Sequence, residues 1–384
     1  MLLYQRILDL KTPIQRKSLF LFGPRQTGKT FYLTRAFPNA PYYNLLESQV
    51  FLRLSQRPHL LREGLIASGS SASPVIIDEI QKLPILLDEV HSLIEEKRIK
   101  FILTGSSARK LRRGGANLLG GRATTFHLFP LVSREISDFD LIRALNWGTL
   151  PSIYPSDDPE NDLADYVGNY LKEEIKAEGL ARNIENFSRF LQTASLCNAE
   201  LVNFTRIGND AQMPPRTVAE YFSILEDTLI GHLVEPYTRT KKRKAVSTAK
   251  FYFFDCGVCN LLAGRKGIQP KTELFGKSFE QFIFTEIRAF LSYHRDRRPL
   301  NFWRSQSSDY EVDFLIGEEV AVEVKGSDLV TERHLTGLKA LTEELKLKKK
   351  IVVSLDERPR RVGDIDILPV ARFLEMLWAR EIVR

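Results

Sequence analysis

The feature that most constrains this chain is a glycine-rich stretch directly after a short apolar segment. Residues 18–22 are predicted to form a buried strand, and a helix is predicted to begin at Gly28 and to continue to about Ala36. A loop between such a strand and helix presents backbone N–H groups that cradle phosphate oxygens. The stretch is therefore predicted to bind a nucleotide through Gly23, Pro24, Arg25, Gln26, Thr27, Gly28, Lys29 and Thr30.

Two side chains of this loop and two later carboxylates predict ATP and Mg²⁺ as ligands. In a loop of this pattern the lysine, here Lys29, reaches the phosphates and the hydroxyl, here Thr30, binds Mg²⁺. A second apolar strand, at 74–77, ends in Asp78 and Glu79. We expect Asp78 to hold Mg²⁺ through water and Glu79 to activate the attacking water as a general base. An Asp-Glu pair that only caps the following helix is the alternative.

A third apolar strand is predicted at residues 100–104, followed by Gly105, Ser106 and Ser107. Its polar end is expected to lie beside Asp78, where Thr104 or Ser106 would sense the terminal phosphate. A hydroxyl at the end of a strand also commonly forms a turn, and this alternative remains open.

The order of the motifs along the chain carries a family resemblance. It consists of Gly-x-Arg-Gln-x-Gly-Lys-Thr at 23–30, Ile-Ile-Asp-Glu-Ile-Gln-Lys at 76–82, Leu-Thr-Gly-Ser-Ser at 103–107, Gly-Gly-Arg at 120–122 and Phe-Pro-Leu at 129–131. This order resembles the AAA+-type prokaryotic ATPases that carry a C-terminal domain of nuclease-like fold. The resemblance covers essentially the whole chain.

The resemblance implies a homo-oligomeric ring, for example a hexamer, in which an arginine of one subunit completes the neighbour's site. Arg122 is our first choice for that arginine because it follows the glycine pair beyond the sensor strand. Arg109, Arg112 and Arg113 are its competitors. The basic run that holds these three is alternatively a solvated face or a loop that faces DNA.

The length of 384 residues suits an α/β protein of several domains. We expect an AAA+-type ATP-binding domain over 1–155, with a parallel sheet and helices on both faces. A helical and winged-helix domain is expected over 156–265, and an α/β restriction-endonuclease-like domain over 266–384. No apolar run approaches the ~20 residues of a membrane helix, and the first residues lack the pattern of a signal peptide. We therefore expect a cytoplasmic protein without a membrane partner.

The middle region has the pattern of a winged helix followed by a basic tip. A helix with an apolar stripe is predicted from Pro215, with strands at 230–237 and 250–254 on either side of the tip. A basic run without an intervening acid can neutralise DNA phosphates, whereas the alternative is a solvated loop. The run consists of Arg239, Lys241, Lys242, Arg243, Lys244 and Lys250.

The C-terminal region contains two alternating strands, 311–316 and 320–325, joined by the hairpin loop 317–319. This spacing pairs Ile316 with Val320 and places Asp313 opposite Glu323. Because two facing carboxylates repel each other, a divalent cation between them would be stabilising.

Asp313, Glu323 and Lys325 resemble the Asp…Glu-x-Lys pattern of restriction-endonuclease-like folds. The resemblance implies that the carboxylates hold a second Mg²⁺ and that Lys325 orients the attacking water. Glu280 matches the further acid of such folds, whereas Glu286 is predicted to face elsewhere. A surface ion-pair ladder, or an inactive nuclease fold kept for binding, are the alternatives.

Three functions are compatible with these patterns. The favoured one is Mg²⁺-dependent ATP hydrolysis coupled to remodelling or translocation of duplex or branched DNA such as junctions. The net charge of +7 supports an anionic partner. The alternatives are an ATP-regulated, metal-dependent DNA nuclease and a nucleotide-controlled switch that acts on a protein partner.

Overall fold

The computed structural model describes residues 4–69, 74–107, 111, 119–177, 184–307 and 309–383. The chain divides into two compact units. The first unit contains residues 5–129 and 227–229, and the second contains the rest of the described chain.

The first unit is built on a five-stranded sheet in which every pairing is parallel. Its order is β2-β3-β4-β1-β5. The strands β1, β3 and β4 are apolar and buried along their length, as expected for a parallel sheet covered on both faces. The strands are β1 Ser18–Phe22, β2 Tyr42–Asn44, β3 Val75–Asp78, β4 Phe101–Gly105 and β5 Ala123–His127.

Helices connect successive strands of this unit, as parallel pairing requires. The helices of the unit are α1 Lys11–Ile14, α2 Lys29–Ala36, α3 Ser48–Gln56, α4 Leu60–Ala67 and α5 Leu86–Lys97. Because the strands are parallel, the carboxyl ends of β1, β3 and β4 meet at one edge of the sheet. The strand, loop and helix predicted around residues 18–36 are confirmed.

The second unit begins with a helical region around a small antiparallel sheet. Its helices are α6 Leu141–Trp147, α7 Pro159–Ala177, α8 Ile184–Leu196, α9 Phe204–Asp210, α10 Pro215–Asp227 and α11 Cys256–Leu262. Its strands are β6 Glu200–Leu201, β7 Gly231–Val234 and β8 Lys250–Phe253, in the order β6-β8-β7. Edge-to-face aromatic contacts join α8, α10 and β8 in the core through Phe190, Phe222 and Phe251.

The second unit continues as a mixed six-stranded sheet in the order β13-β14-β12-β11-β10-β9. Its strands are β9 Leu300–Arg304, β10 Glu311–Ile316, β11 Val320–Val324, β12 Lys349–Ser354, β13 Arg360–Val362 and β14 Ile365–Pro369. The helices are α12 Glu273–Tyr293, α13 Thr336–Thr342 and α14 Val370–Trp378. The predicted hairpin register is confirmed, since Ile316 pairs with Val320.

The edge strand β9 is covered by the segment between β7 and β8. Tyr237 donates its backbone N–H to the carbonyl of Phe302 at 2.7 Å, and Val246 donates to that of Arg304 at 3.0 Å. Isolated bridges at Pro236 and Ala245 accompany these bonds. We call the two ends of this segment, around Tyr237 and Val246, its arms. The arms therefore bond to backbone groups that an edge strand otherwise leaves unpaired.

Helix α12 carries a buried carboxylate on the side away from Glu280. Glu286 accepts hydrogen bonds from the backbone N–H of Ser133 at 2.6 Å, from the Ser133 hydroxyl at 3.0 Å and from the indole N–H of Trp378 at 2.7 Å. The prediction that Glu286 faces elsewhere than Glu280 is confirmed. In the described part of the chain, no helix is long and apolar enough to cross a membrane.

Candidate active site

The glycine-rich loop joins β1 to α2, and its backbone has the shape that phosphate binding needs. Gly28 caps the helix with φ of 86°, a conformation that favours glycine. A Cβ on Gly23 would lie 2.3 Å from the carbonyl oxygen of Leu128, so only glycine fits this close approach. The buried Lys29 ammonium donates to the carbonyls of Gly23 at 2.7 Å and Pro24 at 3.0 Å. The ammonium group thus lies inside the loop.

Further bonds brace the loop. The Thr27 hydroxyl donates to the Pro24 carbonyl at 2.9 Å, and Gln26 has a positive φ of 59°. Arg6 donates from its guanidinium to the carbonyls of Thr27 at 2.8 Å and Phe129 at 2.6 Å. Nothing near Arg6 in the sequence indicates this role, because its partners are distant along the chain.

The end of β3 contacts the loop through Asp78. The Thr30 hydroxyl donates to Asp78 Oδ2 at 2.7 Å, and the hydroxyls of Tyr42 and Thr104 donate to Oδ2 and Oδ1. Burial, together with the hydrogen bond to Asp78, raises the pKa of Tyr42. The structure thus brings Thr30, Asp78 and Thr104 together as the sequence predicted, and it adds Tyr42.

Glu79 lies beside Asp78 in an unusual backbone conformation, with φ of 62°. Non-glycine residues in this region are strained and cluster at functional sites. The Glu79 backbone N–H donates to the Thr104 hydroxyl at 3.2 Å. The Gln81 amide donates to Glu79 Oε2 and to the Ser106 hydroxyl, the latter at 3.3 Å. Gln81 therefore contacts both Glu79, the predicted base, and Ser106, one of the two candidate sensors.

Gln81 was missed by the sequence analysis, although it lies within the motif that begins at Ile76. Gly105 makes room for it, since a Cβ there would lie 2.4 Å from Gln81 Oε1. Among the described residues no donor reaches this oxygen. The glycine after Thr104 was the available signal, because a side chain at 105 would displace the amide.

The family model of an AAA domain matches residues 15–137, the segment that contains this site. This chain is an ATPase. Two further family models match the rest, and each is described as a domain of unknown function: DUF8612 over residues 138–269 and DUF4143 over residues 275–373. No curated protein sequence matches the chain.

Solved structures give weak similarities. The Orc1 protein of Aeropyrum pernix in complex with DNA is 14% identical, with 66% of this chain and 89% of that chain covered and a TM-score of 0.26. A signal transduction ATPase with a tetratricopeptide repeat sensor from Pyrococcus horikoshii is 18% identical, with coverages of 76% and 49% and a TM-score of 0.23. With such low scores, the assignment as an ATPase depends on the AAA match and on the geometry of the loop.

The oxygens at the end of β3 suit Mg²⁺ in the AAA domain. Mg²⁺ prefers carboxylate and hydroxyl oxygens and retains several waters. The Thr30 hydroxyl and the Asp78 carboxylate, 2.7 Å apart, supply this chemistry next to the loop. These residues therefore fit the metal that nucleotide binding in this fold requires.

Arg122 lies on the surface of the AAA domain, after β4. Its guanidinium pairs with the exposed Glu95 of α5, and this hydrogen bond lowers the pKa of the Glu95 carboxyl. The competing arginines Arg109, Arg112 and Arg113 lie outside the described residues.

The basic run of the middle region was predicted to form one exposed tip, but several of its side chains pair with acids. Arg239 lies 3.5 Å from Glu318, and Lys242 and Arg243 lie 3.7 Å and 3.0 Å from Glu343. The Glu344 carboxylate accepts the backbone N–H groups of Lys241, Lys242 and Arg243. The side chains of Lys241 and Lys244 are exposed. Acids that are distant in sequence therefore neutralise part of the run.

The prediction that Lys250 lies on the basic tip is wrong. Lys250 is the first residue of β8, and its side chain is buried at 3% exposure. Its ammonium lies in a cleft of about 550 Å³ that also contains Glu280, Asp313, Glu323 and Lys325. The structure thus brings the predicted nuclease-like residues together, with a lysine added from the middle region.

The role of Gln81 can be tested by truncation. We expect Gln81→Ala to lower kcat for ATP about tenfold, because Glu79 loses the hydrogen bond that orients it, worth about 1–1.5 kcal/mol. The KM for ATP should change little, since Gln81 lies away from the glycine-rich loop. Steady-state phosphate release measures both constants. A rise in KM at unchanged kcat would contradict the positioning role, and Gln56→Ala on α3 serves as the control.

Proposed function

We propose that the AAA domain hydrolyses ATP with Mg²⁺ and that hydrolysis drives remodelling or translocation of DNA. The proposal of ATP hydrolysis depends mainly on the 2.7 Å hydrogen bond from the Thr30 hydroxyl to Asp78. This bond connects the glycine-rich loop to the end of β3. When bound there, Mg²⁺ neutralises the charge that develops on the transferred phosphate.

The side chains of the site have distinct tasks in this proposal. Lys29 exchanges the carbonyls of Gly23 and Pro24 for phosphate oxygens. Glu79 takes a proton from the attacking water, and Gln81 holds the carboxylate in place. The Thr104 hydroxyl fixes the backbone of Glu79, while Ser106 contacts Gln81. In this proposal, both hydroxyls respond to the terminal phosphate through their contacts with Glu79 and Gln81.

Assembly into a ring is part of the proposal. Subunits of AAA-type rings complete a neighbour's site with an arginine, and such an arginine stabilises charge in the transition state. Arg122 suits this role, because its guanidinium is partly exposed and pairs with the surface residue Glu95. In the ring, the phosphate of ATP bound to the neighbouring subunit would replace the Glu95 carboxylate as the partner of Arg122.

The DNA half of the proposal is supported by the order of elements in the middle region. The order α8, β6, α9, α10, β7 and β8, with one three-stranded sheet, is typical of a winged helix. The connection between β7 and β8 presents the exposed Lys241 and Lys244, which suit phosphate contacts. The net charge of +7 favours the same partner.

The DNA proposal is tested by the ATPase rate with duplex, single-stranded and four-way DNA. We expect one of these to stimulate the rate severalfold and the stimulation to decline with salt. Lys241→Glu/Lys244→Glu should weaken DNA stimulation about tenfold while the basal rate is kept. The matched control is Lys339→Glu/Lys346→Glu, which reverses two exposed lysines outside the loop.

Two outcomes would contradict the DNA proposal. A basal rate that is indifferent to every DNA would favour the nucleotide-controlled switch that acts on a protein partner. Equal loss of stimulation in both double variants would show a general charge effect rather than binding by the loop.

A metal-dependent nuclease, the alternative predicted from sequence, is not part of this proposal, although the C-terminal sheet suits such a fold. The order α12, β9, β10, β11, α13 and β12 is typical of restriction-endonuclease-like domains, and Asp313, Glu323 and Lys325 converge on one cleft. We do not propose DNA cleavage or a second Mg²⁺, because the ammonium of Lys250 lies among the carboxylates.

A further inference from the structure

The cleft of the second unit holds a buried ammonium among three carboxylates. Lys250 Nζ lies 3.0 Å from Glu280 Oε1 and 3.6 Å from Asp313 Oδ1, and it also pairs with Glu311. The lysine comes from β8 of the middle region, whereas the carboxylates come from α12 and β10 of the C-terminal sheet. One side chain therefore joins two parts of the unit.

The surroundings of Lys250 hold its ammonium in place. The ring of Phe302 lies 5.5 Å from Nζ, and the Tyr252 hydroxyl, on the same strand, donates to Glu280 at 2.6 Å. Burial by itself lowers the pKa of Lys250, but the charges of Glu280, Asp313 and Glu311 outweigh it and raise that pKa well above its ordinary value. The surrounding carboxylates therefore favour the charged form of Lys250.

Four acids that line the cleft pair with basic side chains. The acids are Glu280, Glu311, Asp313 and Glu323, and the bases that pair with them are Lys250, Arg304 and Lys325. Burial and the nearby Asp313 raise the pKa of Glu323, and the adjacent Lys325 offsets part of this rise. Glu323 Oε2 has no hydrogen-bond partner among the described residues.

A divalent metal does not fit this arrangement. A metal held by Asp313, whether with Glu323 or with Glu280, would lie beside the Lys250 ammonium. This ammonium is 3.6 Å from Asp313 Oδ1 and 3.0 Å from Glu280 Oε1. Within the described ranges, no group of His, Cys, Asp or Glu side chains has the arrangement of a metal site. The Lys250 ammonium therefore occupies the position beside these carboxylates that a metal ion would take.

We propose that Lys250 takes the place of the metal ion in a restriction-endonuclease-like cleft. The carboxylates then serve as a metal-free ion-pair network that fastens β8 to the C-terminal sheet. Without a metal to activate water, the cleft does not cleave DNA. This inference is independent of ATP hydrolysis and of DNA stimulation.

Manganese binding tests the proposal. Mn²⁺ is titrated into nucleotide-free protein and free Mn²⁺ is followed by electron paramagnetic resonance. Wild type and Asp313→Asn should bind the same number of ions. Lys250→Met should bind one more ion than wild type, and Lys250→Met/Asp313→Asn should lose that ion. Ions at the ATP site are common to all four proteins and cancel.

Two results would overturn the inference. One is an ion that binds to wild type and is lost in Asp313→Asn, since the cleft would then hold a metal beside Lys250. The other is a folded Lys250→Met protein that gains no ion. Circular dichroism establishes folding, and Mn²⁺ should raise the Tm of Lys250→Met but not of wild type. If Lys250→Met does not fold, the comparison of wild type with Asp313→Asn still decides.

Discussion

Glu79→Gln is expected to slow ATP hydrolysis by about 10²–10⁴-fold, the contribution of a positioned general base. Glutamine has the same shape, and its carbonyl oxygen can still accept the hydrogen bond from Gln81, but it cannot take a proton from water. ATP binding should be unchanged, because the glycine-rich loop and Lys29 are intact. Single-turnover phosphate release measures the chemical step, and a fluorescent ATP analogue measures binding.

A suitable control for this variant is Glu89→Gln. Glu89 accepts a hydrogen bond from Arg62 at 3.0 Å on the helical surface of the same domain, so it reports the cost of losing a carboxylate outside the site. The control should hydrolyse ATP at the wild-type rate. If Glu79→Gln retained more than about a tenth of that rate, another group would have to act as the base.

Glu286→Ala is expected to destabilise the second unit by about 3–5 kcal/mol. The change leaves three buried donors, the Ser133 N–H and hydroxyl and the Trp378 indole, without their acceptor. Each such loss costs about 1–3 kcal/mol. Urea unfolding followed by circular dichroism measures the change. Thr285→Ala, at the neighbouring partly buried position, is the control and should cost much less.

The same residue should give the unfolding free energy a pH dependence. Burial raises the pKa of Glu286 to about 7 from 4.5, and hydrogen bonds from Ser133 and Trp378 offset part of this rise. The folded state thus keeps a proton that the unfolded state has released, so this stability is full below pH 4.5 and is lost as the pH rises through 7. The slope is at most about 1.4 kcal/mol per pH unit.

Glu286→Gln isolates that slope. Burial raises the pKa of Asp255 to about 6, of Glu280 to about 7 and of Glu323 to about 8, so wild type has several acids that titrate in the same direction. The variant retains these three and lacks only Glu286. Identical pH profiles for wild type and Glu286→Gln would show that Glu286 has the same pKa in the folded and unfolded states.

The predictions from sequence succeeded where the determining contacts are local. The strand, loop and helix at 18–36 follow from one contiguous motif, and the register of Ile316 with Val320 follows from a three-residue hairpin loop. Asp78 and Thr104 could be placed together because parallel strands end at a common edge.

The residues that were missed depend on contacts across long stretches of chain. Tyr42 reaches Asp78 from a neighbouring strand, and nothing in its own segment indicates a polar partner. Lys250 followed a basic run and was grouped with it, but β8 carries it into a cleft whose acids lie further along the chain. The acids that face Arg243 are also remote in sequence. Charge runs cannot show such pairing.

The covering of β9 by the segment between β7 and β8 has a practical consequence for dividing the chain. A fragment that begins at about residue 270 would contain the whole six-stranded sheet but not the arms that bond to Phe302 and Arg304. Its β9 would then present open N–H and carbonyl groups along an edge strand, which is a template for edge-to-edge aggregation. Poor solubility of such a fragment would therefore reflect a missing neighbour rather than an unstable fold. Fragments that begin before β7 avoid the problem.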